Sequence, residues 1–203
     1  MQNRTAVILC GGKGTRLGIL GKKIPKALVK LQRKPILWFI LKSLKKNKFN
    51  HYILPIGYKG KKIKKYIKGN SEFKKFNIDL INTGLNTSIA KRIYKIKKHI
   101  NSNDFLLVNG DAVFDANLNQ IYNYHSKKKS DMSFICCEAE ADFGTVGTRN
   151  GKIINFERSL YFNSVNTKNK NFKGNVYSGM AIINKKILKK KFINKENFEK
   201  EFY

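Results

Sequence analysis

A short apolar run that leads into a glycine-rich turn constrains the fold of this chain more than any other stretch. Residues 6–10 read Ala-Val-Ile-Leu-Cys, and residues 11–16 read Gly-Gly-Lys-Gly-Thr-Arg. An apolar run of this length fits one buried strand, and the glycines let backbone N–H groups approach an anion closely. Lys13 and Arg16 add two positive charges. The stretch therefore predicts a buried strand followed by a phosphate-binding loop.

The residues at fixed places in this loop exclude two common phosphate-binding motifs. A Walker loop needs Ser or Thr after its lysine, but Gly14 follows Lys13. A dinucleotide fingerprint needs a third glycine where Leu17 stands. What remains is Gly-Gly-x-Gly-Thr-Arg-Leu after a first strand, with Pro25-Lys26 following. This pattern closely resembles the signature of the sugar-phosphate nucleotidyltransferases; the alternative is a flexible glycine turn between two elements.

The hydrophobic pattern predicts an α/β fold with a mostly parallel central sheet and a small antiparallel extension. Apolar runs alternate with amphipathic, lysine-rich segments, as in β-α-β units. The strand candidates of this sheet are 5–10, 52–57, 77–82, 104–109 and 131–138. Helices are predicted at 36–46 with Pro35 at the first position, at 61–67, from a Thr87 cap to Ile100, and from an Asn117 cap to His125. Short strands follow at 145–148, 152–157 and 176–184.

Polar residues follow three of these strands, at 11–16, at 82–83 and at 109–111. Ligands of open α/β sheets bind beyond the carboxyl ends of the parallel strands, so these segments are expected to converge on one cleft. Asp111 follows a buried strand, and Mg²⁺ is often held by one or two carboxylates with phosphate and water as its other ligands. The alternative for Asp111 is a cap of the following helix. Asp115 is a weaker second carboxylate.

The resemblance implies a Rossmann-like three-layer fold of the GT-A type, as one domain over 1–203. Residues 1–130 would form the nucleotide-binding half and residues 131–203 the sugar-binding half. The implied reaction joins an NTP and a sugar 1-phosphate to give an NDP-sugar for polysaccharide biosynthesis, with Mg²⁺ as cofactor. Arg16 and Lys26 would act on the triphosphate as catalytic cations, and Asp111 would bind the metal. The implied nucleotide-binding residues are Gly11, Gly12, Gly14, Thr15, Arg16, Lys26, Thr87, Arg92 and Gly110.

Further segments are similar to the glucose-1-phosphate cytidylyltransferases in particular, which implies CTP and glucose 1-phosphate. They are Lys34–Trp38, Gly57–Gly60, and Thr83-Gly84-x-x-Thr87 with Arg92. The subgroup reads Met-Thr-Gly-Gly where this chain has 88–91, so two glycines that allow close backbone approach are Ala90 and Lys91 here. The alternative is structural, with Thr87 as a helix cap and Arg92 on a solvated helix face.

The sugar half carries weaker signals. Residues 155–159 resemble the family's Phe-x-Glu-Lys-Pro, which implies that Glu157 and Arg158 bind the sugar phosphate, with Arg158 in place of lysine. Gly179 corresponds to a glycine of the family, and the resemblance implies that the sugar lies against the backbone there. The alternative for both is an ordinary strand–turn–strand. The family takes a second metal-binding aspartate from a late strand, but no aspartate follows Asp142. We therefore expect either a fragment that lacks the C-terminal part or a degenerate, non-catalytic nucleotide-binding homologue.

The net charge and the cysteines limit which other classes of protein the chain can belong to. The 42 Lys and Arg against 13 Asp and Glu give a formal net charge of +29, which fits either a polyanion partner or compositional drift. The lysines are spread over most segments, so drift is favoured and no specific nucleic acid is expected. The spacing of Cys10, Cys136 and Cys137 suggests neither disulfides nor a zinc site, which predicts reduced core residues of a cytoplasmic protein. No signal peptide or membrane-length apolar run is expected, and homo-oligomerisation stays open.

Overall fold

The structure is a computed structural model that describes residues 3–14, 18–137, 145–157, 165–166, 171–172 and 176–189. Its strands are β1 (Thr5–Leu9), β2 (Lys30–Leu31), β3 (Lys34–Pro35), β4 (His51–Ile56), β5 (Ile78–Asn82), β6 (Asp104–Asn109), β7 (Met132–Cys137), β8 (Thr145–Arg149), β9 (Lys152–Glu157), β10 (Val165–Asn166), β11 (Asn171–Phe172) and β12 (Val176–Asn184). Its α-helices are α1 (Gly18–Lys23), α2 (Ile36–Lys46), α3 (Gly60–Gly69), α4 (Ile89–Lys95) and α5 (Leu118–Lys128).

The main sheet has the strand order β5-β4-β1-β6-β12-β7. The first four strands in that order are mutually parallel, whereas β12 runs antiparallel to β6. Small antiparallel pairs are formed by β2 with β3, β8 with β9, and β10 with β11. The predicted α/β class, with a mostly parallel sheet and a small antiparallel extension, is confirmed.

The chain forms two compact units, one of residues 1–133 and 179–203 and one of residues 134–178. In the larger unit, the sheet centre is buried on both faces, which explains why its strands read as continuous apolar runs. All six residues of β4 are buried, and Ala6, Val7 and Ile8 of β1 are fully so. In the smaller unit, Ser178 Oγ donates to the Ile135 carbonyl oxygen at 2.6 Å. The predicted division of the chain at residue 131 stays a prediction.

Helix α2 buries one apolar face. Its buried residues Leu37, Ile40, Leu41 and Leu44 follow helical spacing, and each is fully enclosed. Burial of each such side chain stabilises the fold by about 1.5–3 kcal/mol. The helix begins at Ile36, so Pro35 is the residue before the first turn rather than its first position. None of the described helices has the length and hydropathy needed to cross a bilayer.

Two local predictions are wrong. The cap of α4 is Ser88, whose hydroxyl accepts from the Lys91 N–H at 3.4 Å, and the α-helix ends at Lys95 before a 3-10 turn. Thr87 is therefore not the cap. Cys10 is buried as predicted, but Cys136 and Cys137 are exposed. They end β7, which is last in the strand order of the sheet, where the core no longer covers the side chains.

Candidate active site

A cleft of about 740 Å³ opens beyond the carboxyl ends of the parallel strands in the larger unit. It brings together three segments that are distant in sequence, namely Leu9–Gly14 at the end of β1, Leu85–Ile89 with Arg92 after β5, and Asn109–Asp111 at the end of β6. Lys26 and Ala27 complete the described lining. A volume of this size is typical of small-molecule sites.

The glycines of the first loop serve different purposes. Gly11 is buried, and a Cβ placed there would lie 2.6 Å from Arg92 Cζ, so this glycine makes room for the arginine. Gly12 is exposed, and no described atom lies within 4 Å of the corresponding Cβ position. Gly14 has a φ of 64°, which favours glycine. Lys13 lines the cleft and is exposed, whereas Thr15 and Arg16 lie outside the described residues.

Arg92 is buried, with only 4% of its surface exposed. Nη1 donates to Thr83 Oγ1 at 2.6 Å and to the Gly84 carbonyl at 2.8 Å, and Nη2 donates to the Leu85 carbonyl at 3.1 Å. Burial lowers the pKa of Arg92. The alternative of an arginine on a solvated helix face is therefore wrong.

Gly57 shows how tightly the loops close around this arginine. A Cβ at Gly57 would lie 2.5 Å from the Gly84 oxygen, 2.7 Å from Arg92 Nη1 and 2.8 Å from the Gly11 oxygen. Loops that follow β1, β4 and β5 thus meet at one guanidinium. In the sequence, Gly57 ends the predicted strand 52–57 and begins a subgroup pattern, and its place at the end of a buried strand was the available signal for a close approach.

Thr87 and its neighbours form one wall of the cleft together with Arg92. Thr87 Oγ1 donates to the Thr83 carbonyl at 2.8 Å, and Lys95 Nζ donates to the same oxygen at 2.8 Å. Leu85 is 59% exposed and, with Asn86, lines the cleft. Hydrogen bonds to the Thr83 carbonyl therefore hold this wall in place, and its residues 85–87 line the cleft.

Lys26 and Asp111 form an ion pair inside the cleft. Lys26 begins a 3-10 turn directly after Pro25, and its Nζ contacts Asp111 Oδ2. Both side chains stay partly accessible, at 40% and 32%. The helix-cap alternative for Asp111 is wrong, because the cap of α5 is Asn117, which accepts from the Gln120 N–H at 3.3 Å.

The donor set around Asp111 suits a metal ion shared with a ligand. Among the described residues, no three His, Cys, Asp or Glu side chains are grouped to hold a metal by themselves. Asp115 is 93% exposed and lies 3.6 Å from Lys46. One accessible carboxylate beside a phosphate-loop candidate fits Mg²⁺, which usually takes few protein ligands and completes its shell with phosphate and water.

Burial, and then the charge of Asp111, raises the pKa of Cys10 to about 12.

Two other predicted site glycines are required by packing. A Cβ at Gly110 would overlap the Leu9 carbonyl oxygen, which also accepts from the Gly110 N–H at 3.2 Å. Gly179 has a φ of 82°, and a Cβ there would lie 2.9 Å from Asn109 Nδ2. Gly110 lines the cleft, whereas Gly179 is not among its described lining residues. Glu157 ends β9, but its side chain, like Arg158 as a whole, lies outside what the structure describes.

A parallel sheet with a phosphate-loop candidate and a carboxylate at its carboxyl edge is typical of α/β nucleotide-binding proteins. The family model for nucleotidyl transferases matches residues 5–158, and the chain belongs to this family. It is 36% identical over 165 residues to a probable glucose-1-phosphate cytidylyltransferase of Bacillus subtilis, covering 72% of this chain and 65% of that protein.

A second relative and a solved structure extend the comparison. The D-glycero-alpha-D-manno-heptose 1-phosphate guanylyltransferase of Campylobacter jejuni is 35% identical over 166 residues, covering 77% of this chain and 69% of that protein. The chain thus spans about two thirds of the length of these relatives. The crystal structure of HddC from Yersinia pseudotuberculosis complexed with GMP-PN has a TM-score of 0.71 at 23% identity, over 98% of this chain and 84% of that one. That likeness supports the fold.

Proposed function

We propose that this protein is a sugar-1-phosphate nucleotidyltransferase, which joins an NTP and a sugar 1-phosphate to give an NDP-sugar and pyrophosphate. The observation that carries the proposal is the convergence of the Gly11–Gly14 loop, Lys26 and Asp111 on one cleft, in a chain that belongs to the nucleotidyl transferase family. Two of its relatives are named as transferases that act on a sugar 1-phosphate. The product would supply polysaccharide biosynthesis in the cytoplasm.

The proposed chemistry needs positioning and charge neutralisation rather than a general base. A phosphate oxygen of the sugar 1-phosphate, which is already ionised, attacks the α-phosphorus of the NTP in line. The bond from the α-phosphorus to the bridging oxygen breaks, and pyrophosphate leaves with that electron pair. Lys26 and Arg16 would stabilise the developing negative charge, and Gly12 and Gly14 would keep the loop open to the phosphates. Asp111 would hold Mg²⁺, which when bound neutralises triphosphate charge.

The substrate pair is the finer part of the proposal. CTP with glucose 1-phosphate is favoured by the subgroup pattern of 83–92 and by the Bacillus subtilis relative. GTP with a heptose 1-phosphate is the second candidate, which the Campylobacter jejuni relative favours at nearly equal identity. The sugar phosphate would be bound by Glu157, Arg158 and the backbone at Gly179, all of which remain proposals from the family pattern.

A two-stage experiment tests this function. Thermal unfolding is measured with CTP, UTP, GTP, ATP or dTTP and Mg²⁺, because a ligand of the native state raises its stability by mass action. Pyrophosphate release is then measured with the stabilising NTP and a panel of sugar 1-phosphates. Asp111→Asn should remove the Mg²⁺-dependent part of the stabilisation, while the exposed Asp115→Asn should not.

The outcomes separate the alternatives. Stabilisation by one NTP with pyrophosphate release establishes the transferase. Stabilisation without release on any sugar 1-phosphate supports a non-catalytic nucleotide-binding homologue. If no NTP raises the melting temperature, the proposed function is wrong, and steeply salt-dependent retention on heparin would then favour a polyanion-binding protein.

A further inference from the structure

The acidic residues of this chain are unevenly distributed. All 13 Asp and Glu follow residue 71, whereas residues 1–71 contain 19 Lys and Arg and no acid. Those residues make up about a third of the chain, so an even compositional bias would place about a third of the acids among them. Compositional drift fits the total charge, but it does not explain where the acids are absent.

Two segments of this acid-free part meet at one surface. Lys62 Nζ, from α3, donates to the Lys23 carbonyl oxygen at the end of α1 at 2.7 Å. Lys59 Nζ, just before α3, donates to the Lys22 carbonyl oxygen. Two more exposed lysines of α3, one helical turn apart, extend this surface. We call it the lysine patch, and it consists of Lys22, Lys23, Lys59, Lys61, Lys62 and Lys65.

The lysine patch has no ion-pair partner among the described carboxylates. Glu72, the first acid of the chain, is paired instead with Lys34 at 3.3 Å and with Lys42 at 3.0 Å. Lys61 and Lys65 are like charges four residues apart, a spacing at which repulsion opposes helix formation. Helix α3 is held through its buried face instead. The patch therefore carries unpaired positive charge, and an anionic partner would relieve the repulsion.

Exposed apolar side chains lie beside the lysine patch. In α1, Ile19 is 75% exposed and Leu20 is 43% exposed. Ile19 precedes Lys22 by three residues and Lys23 by four, so these side chains share one side of the helix. Anionic lipid headgroups attract clustered lysines, and apolar side chains beside them enter the boundary between headgroups and acyl chains. The patch contains no arginine, which is the cation best suited to bidentate contacts with nucleic acid.

We propose that the lysine patch, together with Ile19 and Leu20, docks this protein reversibly onto a membrane surface that contains anionic phospholipids. The lysines attract the headgroup phosphates as point charges, and the two apolar side chains enter the headgroup boundary. None of the six patch lysines is among the described lining residues of the cleft. The inference is therefore independent of the proposed nucleotidyl transfer.

Sedimentation with lipid vesicles tests the docking of the full chain at about 0.1 M salt, where the screening length is about 10 Å. The wild type should sediment with vesicles of phosphatidylcholine and phosphatidylglycerol, and it should stay in solution with phosphatidylcholine alone. The patch variant replaces four lysines by glutamine, at positions 22, 23, 61 and 65. It should bind the anionic vesicles at least about tenfold more weakly, because each lysine near such a surface strengthens binding severalfold. Lys59 and Lys62 are kept because they hold the end of α1.

A matched control variant removes the same charge from exposed lysines outside residues 1–71. It replaces Lys98, Lys127, Lys152 and Lys189 by glutamine. Its vesicle binding should stay within about threefold of the wild type, because the attraction depends on the charges that face the membrane. The Tm of the patch variant should equal or exceed that of the wild type, since like-charge repulsion on α3 is removed. Weaker binding of the patch variant would then not result from unfolding.

A second variant, Ile19→Ser with Leu20→Ser, tests the apolar part of the docking surface. It keeps every lysine, so its retention on heparin should match that of the wild type. Its binding to anionic vesicles should fall severalfold, because less apolar surface enters the headgroup boundary.

The outcomes decide the inference without reference to nucleotide binding. It is overturned if the wild type does not sediment with anionic vesicles, or if the patch and control variants lose binding equally, since net charge alone would then be responsible. It is also overturned if the serine variant binds vesicles as tightly as the wild type. Duplex DNA that displaces the protein from vesicles, with equal affinity for the wild type and the serine variant, would assign the patch to nucleic acid instead. Each of these results leaves the NTP-dependent change in melting temperature, and with it the proposed function, untouched.

Discussion

Replacement of Gly11 by alanine is expected to destabilise the fold, although both residues are small. The added Cβ would lie 2.6 Å from Arg92 Cζ and nearer still to Nη1, well inside van der Waals contact. The guanidinium must therefore move, but it is enclosed by the Gly57 and Thr83–Leu85 backbone. Movement breaks at least one of its hydrogen bonds to Thr83, Gly84 and Leu85.

The magnitude follows from two opposing groups of effects. Overpacking of a closed site costs about 1–3 kcal/mol, and loss of one hydrogen bond from a charged donor costs about 1.5–3 kcal/mol. The lower conformational entropy of alanine in the unfolded chain offsets about 0.4–1 kcal/mol. The free energy of unfolding should therefore fall by about 3 kcal/mol. In a chain of this length, that corresponds to a decrease in Tm of about 6–12 °C.

The assay is thermal unfolding of the ligand-free protein, followed by circular dichroism, with Gly12→Ala as the matched control. A Cβ at Gly12 would have no described atom within 4 Å, so Gly12→Ala should keep Tm within about 2 °C of the wild type. Gly12→Ala should instead weaken nucleotide binding, because its methyl group enters the ligand space. If Gly11→Ala melts together with Gly12→Ala and the wild type, the account of the arginine packing is refuted.

Three further predictions concern a cap, an acid and a thiol. Ser88→Ala should lower the free energy of unfolding by about 1 kcal/mol in chemical denaturation, because it removes the α4 cap; an equal stability would show that the cap contributes nothing. Hydrogen bonds from Lys42, Trp38 and Lys34 lower the pKa of Glu72 to about 2, so its contribution is complete above about pH 4.5 and is lost as pH falls towards 2. The Tm difference between wild type and Glu72→Gln should shrink over that range, and a constant difference would contradict the assignment. Iodoacetamide should alkylate the two exposed cysteines of the native protein and reach Cys10 only after unfolding, because burial raises the pKa of Cys10 to about 12. Peptide mass spectrometry would locate the labels, and rapid labelling of Cys10 in the native protein would contradict its burial.

The strands and the main helices could be predicted from sequence because their signals are local. The apolar run at 6–8 and the spacing of Leu37, Ile40, Leu41 and Leu44 identify a buried strand and a buried helix face without reference to the rest of the chain. Cys136 and Cys137 show the limit of that reasoning. An apolar strand pattern does not reveal whether the sheet continues beyond it, and here β7 is last in the strand order.

The location of the candidate site could be predicted from the sequence, but the contacts among its residues could not. Strand ends converge in any parallel sheet, so the meeting of the first loop with Asp111 followed from the strand pattern. The burial of Arg92 did not, since an arginine on a short amphipathic helix normally faces water, and the acceptors that enclose it come from the loop before α4 and from other loops. For the same reason, Gly11 was interpreted only as a phosphate-loop glycine. The roles of Thr15, Arg16, Glu157 and Arg158 stay predictions.

The packing of Arg92 against two glycines also constrains how such a chain can evolve. Gly11, Gly57 and Arg92 belong to separate segments, yet a side chain at either glycine is incompatible with the arginine where it lies. A lineage that acquires alanine at position 11 first passes through a destabilised intermediate, whereas one that first loses the arginine releases Gly11. Gly57 is not released, because a Cβ there would still lie 2.5 Å from the Gly84 oxygen and 2.8 Å from the Gly11 oxygen. The order of substitutions at positions 11 and 92 is therefore restricted, and position 57 is expected to remain glycine.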